Sequence, residues 1–220
     1  MLRFGIIGEG VCDQVVIENV LLGYFQEQAE EPVVNYIQPP FAPPNQDPKP
    51  GGWTLVFNSI SIKDPERALQ FNDYLVIHID ADVQEEAGFD VPRCEGGKEL
   101  SVDDRIDRIA NRLRGEMNES FWQANAHRVL FAIAVDAIEC WILPMLCDRN
   151  KAKKTAGCLT TANYALRKRN RHALSAGGDK FPKVYEEESR HYRKKKVLLE
   201  VGRLSPSLNR FISRLEEVVA

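Results

Sequence analysis

Several features that define other classes of protein are missing from this chain of 220 residues. No apolar run approaches the roughly 20 residues that a membrane-spanning helix needs. The amino terminus reads as a strand and lacks the basic start of a signal peptide, which favours a cytoplasmic protein with no membrane partner. Cysteine is scarce: five residues are scattered and never spaced as CxxC, which argues against a disulfide framework and a structural zinc site, so we expect reduced thiols.

Two nucleotide-binding motifs are also missing. The chain has no GxxxxGK[ST] sequence, so an ATPase would have to be a separate chain. Gly8-Glu9-Gly10-Val11-Cys12-Asp13 imitates the dinucleotide fingerprint GxGxxG, but Asp13 replaces the third glycine and its charge would oppose a pyrophosphate. The second expected strand ends at Gln38 without an acid that could bind ribose, so a dinucleotide-dependent dehydrogenase is disfavoured.

The net charge of -3 hides a separation of charge along the chain. Residues 149–196 contain fifteen Lys and Arg against four acids, a net charge of +11, and the remainder carries -14. A basic surface attracts phosphate backbones, but a solvated helical face explains such a charge nearly as well. The candidate nucleic-acid contacts in this segment are Arg167-Lys168-Arg169 and Arg193-Lys194-Lys195-Lys196.

Hydrophobic periodicity predicts an α/β fold. Short apolar runs at 2–8, 33–37, 74–79 and 129–135 read as strands, with helical patterns between and after them and a proline-rich loop at 39–50. The order βαβαβαβα favours a four-stranded, mainly parallel sheet with helices on both faces. Beyond residue 149 the pattern is helical and basic, so we expect a domain at 1–148 and a helical extension at 149–220 packed on it.

Acids follow two of the expected strands. Glu9, flanked by glycines that leave room for a substrate, follows the first strand, and Asp80 and Asp82 follow the third. Right-handed crossovers bring the carboxyl ends of these strands to one edge of the sheet, where α/β proteins place ligand-binding groups. Carboxylates suit Mg²⁺ or Mn²⁺, so we predict a cation at Asp80 and Asp82, with Glu9 as a further ligand or as the proton acceptor from attacking water.

Three further residues have two interpretations each. Asp13 is either the N-cap of the first helix or a group that polarises the metal ligands. Glu139 lies near the start of a helix that Asp136 is expected to open, and it either interacts with the helix dipole or binds a second metal ion. His78 lies inside an apolar strand, which is more typical of a core histidine than of a catalytic one.

These motifs resemble those of Toprim-domain proteins, which carry a glutamate after the first strand and a DxD motif after the third. Glu9-Gly10-Val11-Cys12-Asp13 is similar to the EGxxD turn of that family, and Asp80-Ala81-Asp82 is similar to its DxD. Ile138-Glu139-Cys140-Trp141-Ile142-Leu143 resembles the E-x-E-x-W-L-L region of small Toprim-like proteins of the DUF4276 type, with Ala137 in place of the first glutamate. The likeness covers roughly residues 1–150.

The resemblance implies a Mg²⁺-dependent nuclease of the kind found among overcoming-lysogenization-defect nucleases and anti-phage systems, with Glu9 as general base or ligand and Asp80 and Asp82 as metal ligands. No nucleophilic tyrosine on a second domain is identifiable, so a topoisomerase is disfavoured. The first hypothesis is a nuclease whose basic segment holds DNA or RNA. A non-catalytic partner subunit of a separate ATPase is the alternative, a small-nucleotide or phosphate hydrolase is a third, and oligomerisation is left open.

Overall fold

The computed structural model describes residues 1–42 and 49–218, so Pro43, Pro44 and Pro48 of the expected loop lie outside the described residues. In chain order the strands are β1 (Arg3–Ile7), β2 (Val33–Gln38), β3 (Tyr74–Asp80), β4 (Cys94–Glu95), β5 (Lys98–Glu99), β6 (Val129–Ala134), β7 (Ser175–Ala176) and β8 (Asp179–Lys180). The helices are α1 (Val11–Tyr24), α2 (Trp53–Ser61), α3 (Asp64–Phe71), α4 (Val102–Glu116), α5 (Glu119–Asn125), α6 (Glu139–Leu146), α7 (Arg149–Ala152), α8 (Cys158–Lys168), α9 (Pro182–Ser189), α10 (Lys195–Val201) and α11 (Pro206–Glu216).

The central sheet confirms the α/β prediction. It is four-stranded and parallel throughout, in the order β2-β1-β3-β6. The strands β1, β3 and β6 are buried along almost their whole length, as expected for a parallel sheet that is covered on both faces. Because successive strand residues point to opposite faces, Val76 and His78 lie on one face and Ile77 and Ile79 on the other.

Helices cover both faces of the sheet. Residues of α1, α6 and α8 to α11 form one hydrophobic cluster with the face that carries Val76. Residues of α2 to α5 form the second cluster with the face that carries Ile77. The basic carboxy-terminal segment therefore shares a core with the sheet. It approaches α1 closely at Gly23, where an added Cβ would lie 1.7 Å from the carbonyl oxygen of Tyr192.

Two predicted helix starts are wrong. Gly10 is the N-cap residue of α1, so Asp13 does not cap the helix and instead lies buried in its first turn. α6 begins at Glu139 rather than at Asp136. The carboxylate of Asp136 accepts hydrogen bonds from Arg105 and Arg93, which occupies the oxygens that would otherwise cap a helix.

The connections also differ in detail from the predicted pattern. The helical pattern at 53–71 is two helices, with Pro65 in the first turn of α3. The segment predicted as a loop from 83 to 99 contains the antiparallel pair β4 and β5. A second short pair, β7 and β8, interrupts the basic segment.

The expectation of reduced thiols is wrong for one pair of cysteines. Cys140 in α6 and Cys158 at the start of α8 form a disulfide, with Cα atoms 5.1 Å apart. The packing of α6 against α8 brings these residues together although they are 18 positions apart in the sequence. Within residues 1–42 and 49–218, no helix is both long enough and apolar enough to cross a membrane.

Candidate metal centre

Acidic side chains from two strands and one helix meet at the carboxyl edge of the sheet. Glu9 follows β1, Asp80 ends β3, and Asp13 projects from the first turn of α1. The crossover from β1 through α1 places the start of that helix at the same edge as both strand ends. The sequence prediction that Glu9 and Asp80 come together is supported by a direct contact, because Glu9 Oε1 accepts a hydrogen bond of 2.7 Å from the backbone N–H of Asp80.

His78 completes a compact group with Asp13 and Asp80, which we call the buried triad. His78 and Asp80 lie two residues apart on β3 and so share one face of the sheet. One ligand atom from each residue of the triad lies within 4.8 Å of the others. His78 Nε2 is 3.3 Å from Asp80 Oδ1 and 4.0 Å from Asp13 Oδ2. All three residues are buried.

Backbone contacts fix the orientation of His78 and Asp80. His78 Nδ1 lies 2.7 Å from the carbonyl oxygen of Ala132 on the neighbouring strand β6. Because a carbonyl oxygen only accepts, Nδ1 carries the hydrogen and Nε2 faces the two carboxylates. Asp80 Oδ1 accepts a hydrogen bond of 2.8 Å from the backbone N–H of Ile138, ahead of α6. The strand β6 and the loop before α6 therefore hold His78 and Asp80 in place before any ligand binds.

The triad contains polar atoms that the protein itself leaves unsatisfied. Within the described part of the chain, Asp13 Oδ1 is buried without a hydrogen-bond partner, and His78 Nε2 has only its 3.3 Å contact with Asp80 Oδ1, which lacks hydrogen-bond geometry. Buried polar groups in folded proteins are nearly always hydrogen-bonded. A divalent cation fits these atoms, because it accepts carboxylate oxygen and neutral imidazole nitrogen together.

Burial and mutual repulsion perturb the acids of this site. Burial, reinforced by the charges of Asp80 and Asp13, raises the pKa of Glu9 to about 8. Burial likewise raises the pKa of Asp80 to about 7 and raises the pKa of Asp13. Burial alone would lower the pKa of His78, but its contact with Asp80 and the charges of Asp13, Asp80 and Glu9 outweigh burial and raise that pKa to about 9. The acids of the site therefore hold their protons more tightly than exposed carboxylates do.

Asp82 and Glu139 lie beside the triad rather than within it. They line a cavity of about 230 Å³ together with Lys180 and the disulfide cysteines, which we call the site cavity. Glu139 is buried, and its Oε1 receives the Lys180 ammonium group at 2.9 Å and the hydroxyl hydrogen of Tyr185. Asp82 is exposed. Metal binding by Asp82 and by Glu139 stays a prediction.

The sequence predicts that the glycines beside Glu9 leave its backbone open to a substrate. This prediction is wrong, because another segment covers that backbone. The backbone N–H of Gly52 donates a 2.7 Å hydrogen bond to the carbonyl oxygen of Glu9. An added Cβ on Gly51 would lie 1.9 Å from the same oxygen. The segment after the proline-rich loop therefore covers the backbone of Glu9, and only a glycine at position 51 permits this approach.

The first of the two basic groups, Arg167-Lys168-Arg169, lies near the acids at the carboxyl edge of the sheet. Lys168 and Arg169 line a cavity of about 480 Å³ with Lys151 and Lys154, which we call the basic cavity. Thr160 lines both the basic cavity and the site cavity, so the two adjoin. Arg167 is exposed at the end of α8.

The second basic group, Arg193-Lys194-Lys195-Lys196, lies away from the acids at the carboxyl edge of the sheet. Arg193 donates a 2.5 Å hydrogen bond to Asn19 on α1. Lys195 pairs at 2.7 Å with Glu27, beyond the far end of α1, which is about 20 Å long at 1.5 Å per residue. Lys194 and Lys196 are exposed. Contact between nucleic acid and either basic group stays a prediction.

The sequence predicts a core role for His78 and no role for Lys180 or Tyr185. The period of two from Asp80 was a usable signal for His78, since it places both side chains on one face of β3. Lys180 and Tyr185 carry no such signal, because they reach Glu139 only through the packing of β8 and α9 against α6.

Comparison with protein-family models, with curated proteins and with solved structures finds no match for this chain. The resemblance to Toprim-domain proteins therefore stays a prediction that depends on the motifs at Glu9, Asp80 and Glu139.

Proposed function

We propose that this chain is a divalent-cation-dependent phosphodiesterase that cleaves nucleic acid at the carboxyl edge of its sheet. The observation that carries the proposal is the buried triad, in which ligand atoms of Asp13, His78 and Asp80 lie within 4.8 Å of one another. In addition, Asp13 Oδ1 and His78 Nε2 are buried without a well-aligned hydrogen bond within the described residues. A binding site for a cation explains both facts with one ligand.

The donor set favours Mn²⁺ over Mg²⁺. Mg²⁺ binds almost entirely through oxygen, whereas Mn²⁺ also accepts imidazole nitrogen. Asp13 and Asp80 supply the oxygens, and His78 Nε2 supplies the nitrogen once it is unprotonated. A bound cation of this kind supplies a Lewis acid for a phosphate oxygen and lowers the pKa of a bound water.

The remaining residues have distinct roles in this proposal. Glu9 is held beside the triad by the N–H of Asp80, where it serves as a further ligand or accepts the proton of the attacking water. Lys180 lines the site cavity and keeps its side chain 40% exposed, so its ammonium group can bind a phosphate oxygen. Glu139 pairs with Lys180 and accepts a hydrogen bond from Tyr185, so these two residues orient the ammonium group, and Glu139 also lines the site cavity.

The charge distribution supports nucleic acid as the substrate class. The acidic cluster alone would repel a polyanion, but the adjoining basic cavity brings four cationic side chains beside it, from Lys151, Lys154, Lys168 and Arg169. Cations that neutralise phosphates supply most of the sequence-independent affinity of proteins for nucleic acids.

Cleavage of supercoiled plasmid and of a labelled single strand, with Mn²⁺ or Mg²⁺ and after addition of EDTA, tests the proposal. We expect cleavage by the wild type that requires the cation, and a loss of about a hundredfold or more in Asp80→Asn, because an aligned metal ion contributes several kcal/mol of transition-state stabilisation. Glu9→Gln should lose activity to a similar extent.

Asp103→Asn is the matched control. Asp103 is an exposed acid in the first turn of α4, which packs on the other face of the sheet. Its replacement removes the same charge without touching the site. Equal cleavage by the wild type and Asp80→Asn, or no cleavage of either substrate with either cation, would contradict the proposal.

A further inference from the structure

The basic cavity has the size and lining of a site for one nucleotide. Its volume of about 480 Å³ falls in the range of roughly 300–1,000 Å³ that small-molecule sites occupy. Its lining includes the apolar side chains of Leu146 and Ala165 as well as the four cations. A purely electrostatic surface for a phosphate backbone would not need an apolar part. A nucleotide needs both parts, because it has an apolar base and an anionic phosphate.

An exposed aromatic ring lies in the same cavity. Tyr164 is 52% exposed and lines the cavity, and Lys168 Nζ lies 4.7 Å from the centroid of its ring. Proteins that bind single strands combine aromatic rings, on which unstacked bases stack, with cations that follow the backbone. The bases of a duplex are already stacked on each other and cannot reach such a ring without being flipped out.

Positive charge in the cavity remains available to a ligand. Lys154 donates to the neutral hydroxyl of Thr161 at 2.8 Å, and no acid pairs with it within residues 1–42 and 49–218. Asp148 is the acid in the cavity lining, and its Oδ1 already accepts the backbone N–H groups of Asn150 and Lys151 at the start of α7. The lining therefore keeps a net positive charge.

We propose that the basic cavity binds one unstacked nucleotide of a single-stranded nucleic acid, so that the neighbouring phosphodiester enters the site cavity past Thr160. This inference rests on the proposed phosphodiesterase function and adds the substrate class, a single strand rather than a duplex. Stacking on Tyr164 supplies the selectivity, since every base has an aromatic face. The cationic rim holds the phosphates on either side of the stacked base.

Fluorescence anisotropy with a short labelled oligothymidylate, with Ca²⁺ in place of Mn²⁺, measures this binding directly. All variants carry Asp80→Asn so that cleavage does not interfere. Tyr164→Ala should weaken single-strand binding by about tenfold, as one lost base–aromatic stack predicts. Tyr164→Phe keeps the ring and should stay within about twofold of the parent. A duplex of matching length should bind equally to the parent and Tyr164→Ala.

Phe71→Ala is the control for the loss of an exposed aromatic side chain. Phe71 is 71% exposed and lines a pocket with Arg3 and Asp73, at the amino edge of the sheet. Unchanged single-strand affinity in Tyr164→Ala, or an equal loss for single strand and duplex, overturns the inference. Thymidine monophosphate that displaces the oligonucleotide supports a site for one unit, whereas binding of the mononucleotide without any binding of the oligonucleotide overturns it.

The outcomes separate this inference from the proposed function. If single-strand binding depends on Tyr164 but no cation supports cleavage, the cavity binds a strand and the phosphodiesterase proposal fails. If the wild type cleaves duplex and single strand equally well and Tyr164→Ala changes neither reaction nor binding, the phosphodiesterase proposal stands and the nucleotide site fails.

Discussion

Buried acids at the carboxyl edge of the sheet have two kinds of partner: Asp136 is paired with arginines, whereas Asp13 and Asp80 contact a histidine. Asp136, just after β6, accepts a 2.6 Å hydrogen bond from Arg105 and a 3.0 Å bond from Arg93. Among the described residues, Asp13 and Asp80 of the buried triad form no ion pair with a lysine or an arginine, and share His78 instead. The comparison shows that the partners of an acid, and not its position after a strand, separate a structural carboxylate from a candidate ligand.

The difference also has a thermodynamic side. Asp136, Arg93 and Arg105, which we call the Asp136 group, form a compensated ion pair network, because buried charges of opposite sign satisfy one another. The triad brings two acids together with a single histidine and, among the described residues, without a lysine or arginine pair, and burial raises the pKa of Asp80 and of Asp13. Such a cluster costs stability in the free protein, and a bound cation would offset that cost. The two groups should therefore respond in opposite directions to the removal of a charge.

Asp136→Asn should give the largest loss of stability. It leaves the Arg105 guanidinium group, whose side chain is only 2% exposed, without its acid. Breaking a buried ion pair by removing one partner costs about 3–5 kcal/mol. Urea denaturation followed by circular dichroism measures the change in the free energy of unfolding, with Asp103→Asn as the control. A loss below about 1 kcal/mol would mean that Arg105 finds other acceptors and that the Asp136 group is not structural.

The disulfide stabilises the part of the site that carries Glu139, next to the buried triad. Cys140 directly follows Glu139, and its bond to Cys158 ties α6 to α8. Replacement of both cysteines with serine should lower the free energy of unfolding by about 3 kcal/mol, the cost expected for a loop of this length. The wild type in dithiothreitol should match the double variant, and the double variant should not respond to reductant. A wild type whose stability is the same with and without reductant would contradict the contribution of the bond.

Local sequence patterns predict one part of the site, the pair Glu9 and Asp80, but not the whole buried triad. Apolar periodicity locates β1 and β3, and parallel topology then forces Glu9 and Asp80 to one edge, so both the fold and this pair were predictable. The sequence alone leaves Asp13 between a helix cap and a group that polarises the metal ligands, and favours a core role for His78, since each residue has a common structural role by itself. Their joint role depends on the distance between α1 and β3, which no single segment encodes.

The missed contacts depend on elements that are far apart in the sequence. The partner of Glu139 is Lys180 in β8, and the partner of Cys140 is Cys158 in α8. Neither pair has a diagnostic spacing, because the packing of the basic segment on α1 and α6 decides which residues meet. The charge of that segment was visible in the sequence, but the division of its two basic groups between different parts of the surface was not.

A divalent cation should stabilise the protein through the triad and not through Asp136. At a free Mn²⁺ concentration about a hundred times its dissociation constant, linkage predicts about 2.7 kcal/mol of added stability. Asp80→Asn should abolish this gain and Asp103→Asn should keep it, as measured by urea denaturation with Mn²⁺ and with EDTA. An equal gain in the wild type and Asp80→Asn would place the cation elsewhere.

The smallest expected effect tests the comparison most directly, because its sign is opposite to that of Asp136→Asn. Asp13→Asn removes a buried charge that has no lysine or arginine partner among the described residues, and keeps the shape of the side chain. In EDTA the variant should be more stable than the wild type by about 0.5–2 kcal/mol, as is common when a side chain retained for function is replaced. The same variant should respond less to Mn²⁺, because one candidate ligand is lost. A variant that is destabilised in EDTA as strongly as Asp136→Asn would mean that Asp13 is a structural acid like Asp136, and the triad would then lose its claim to be a cation site.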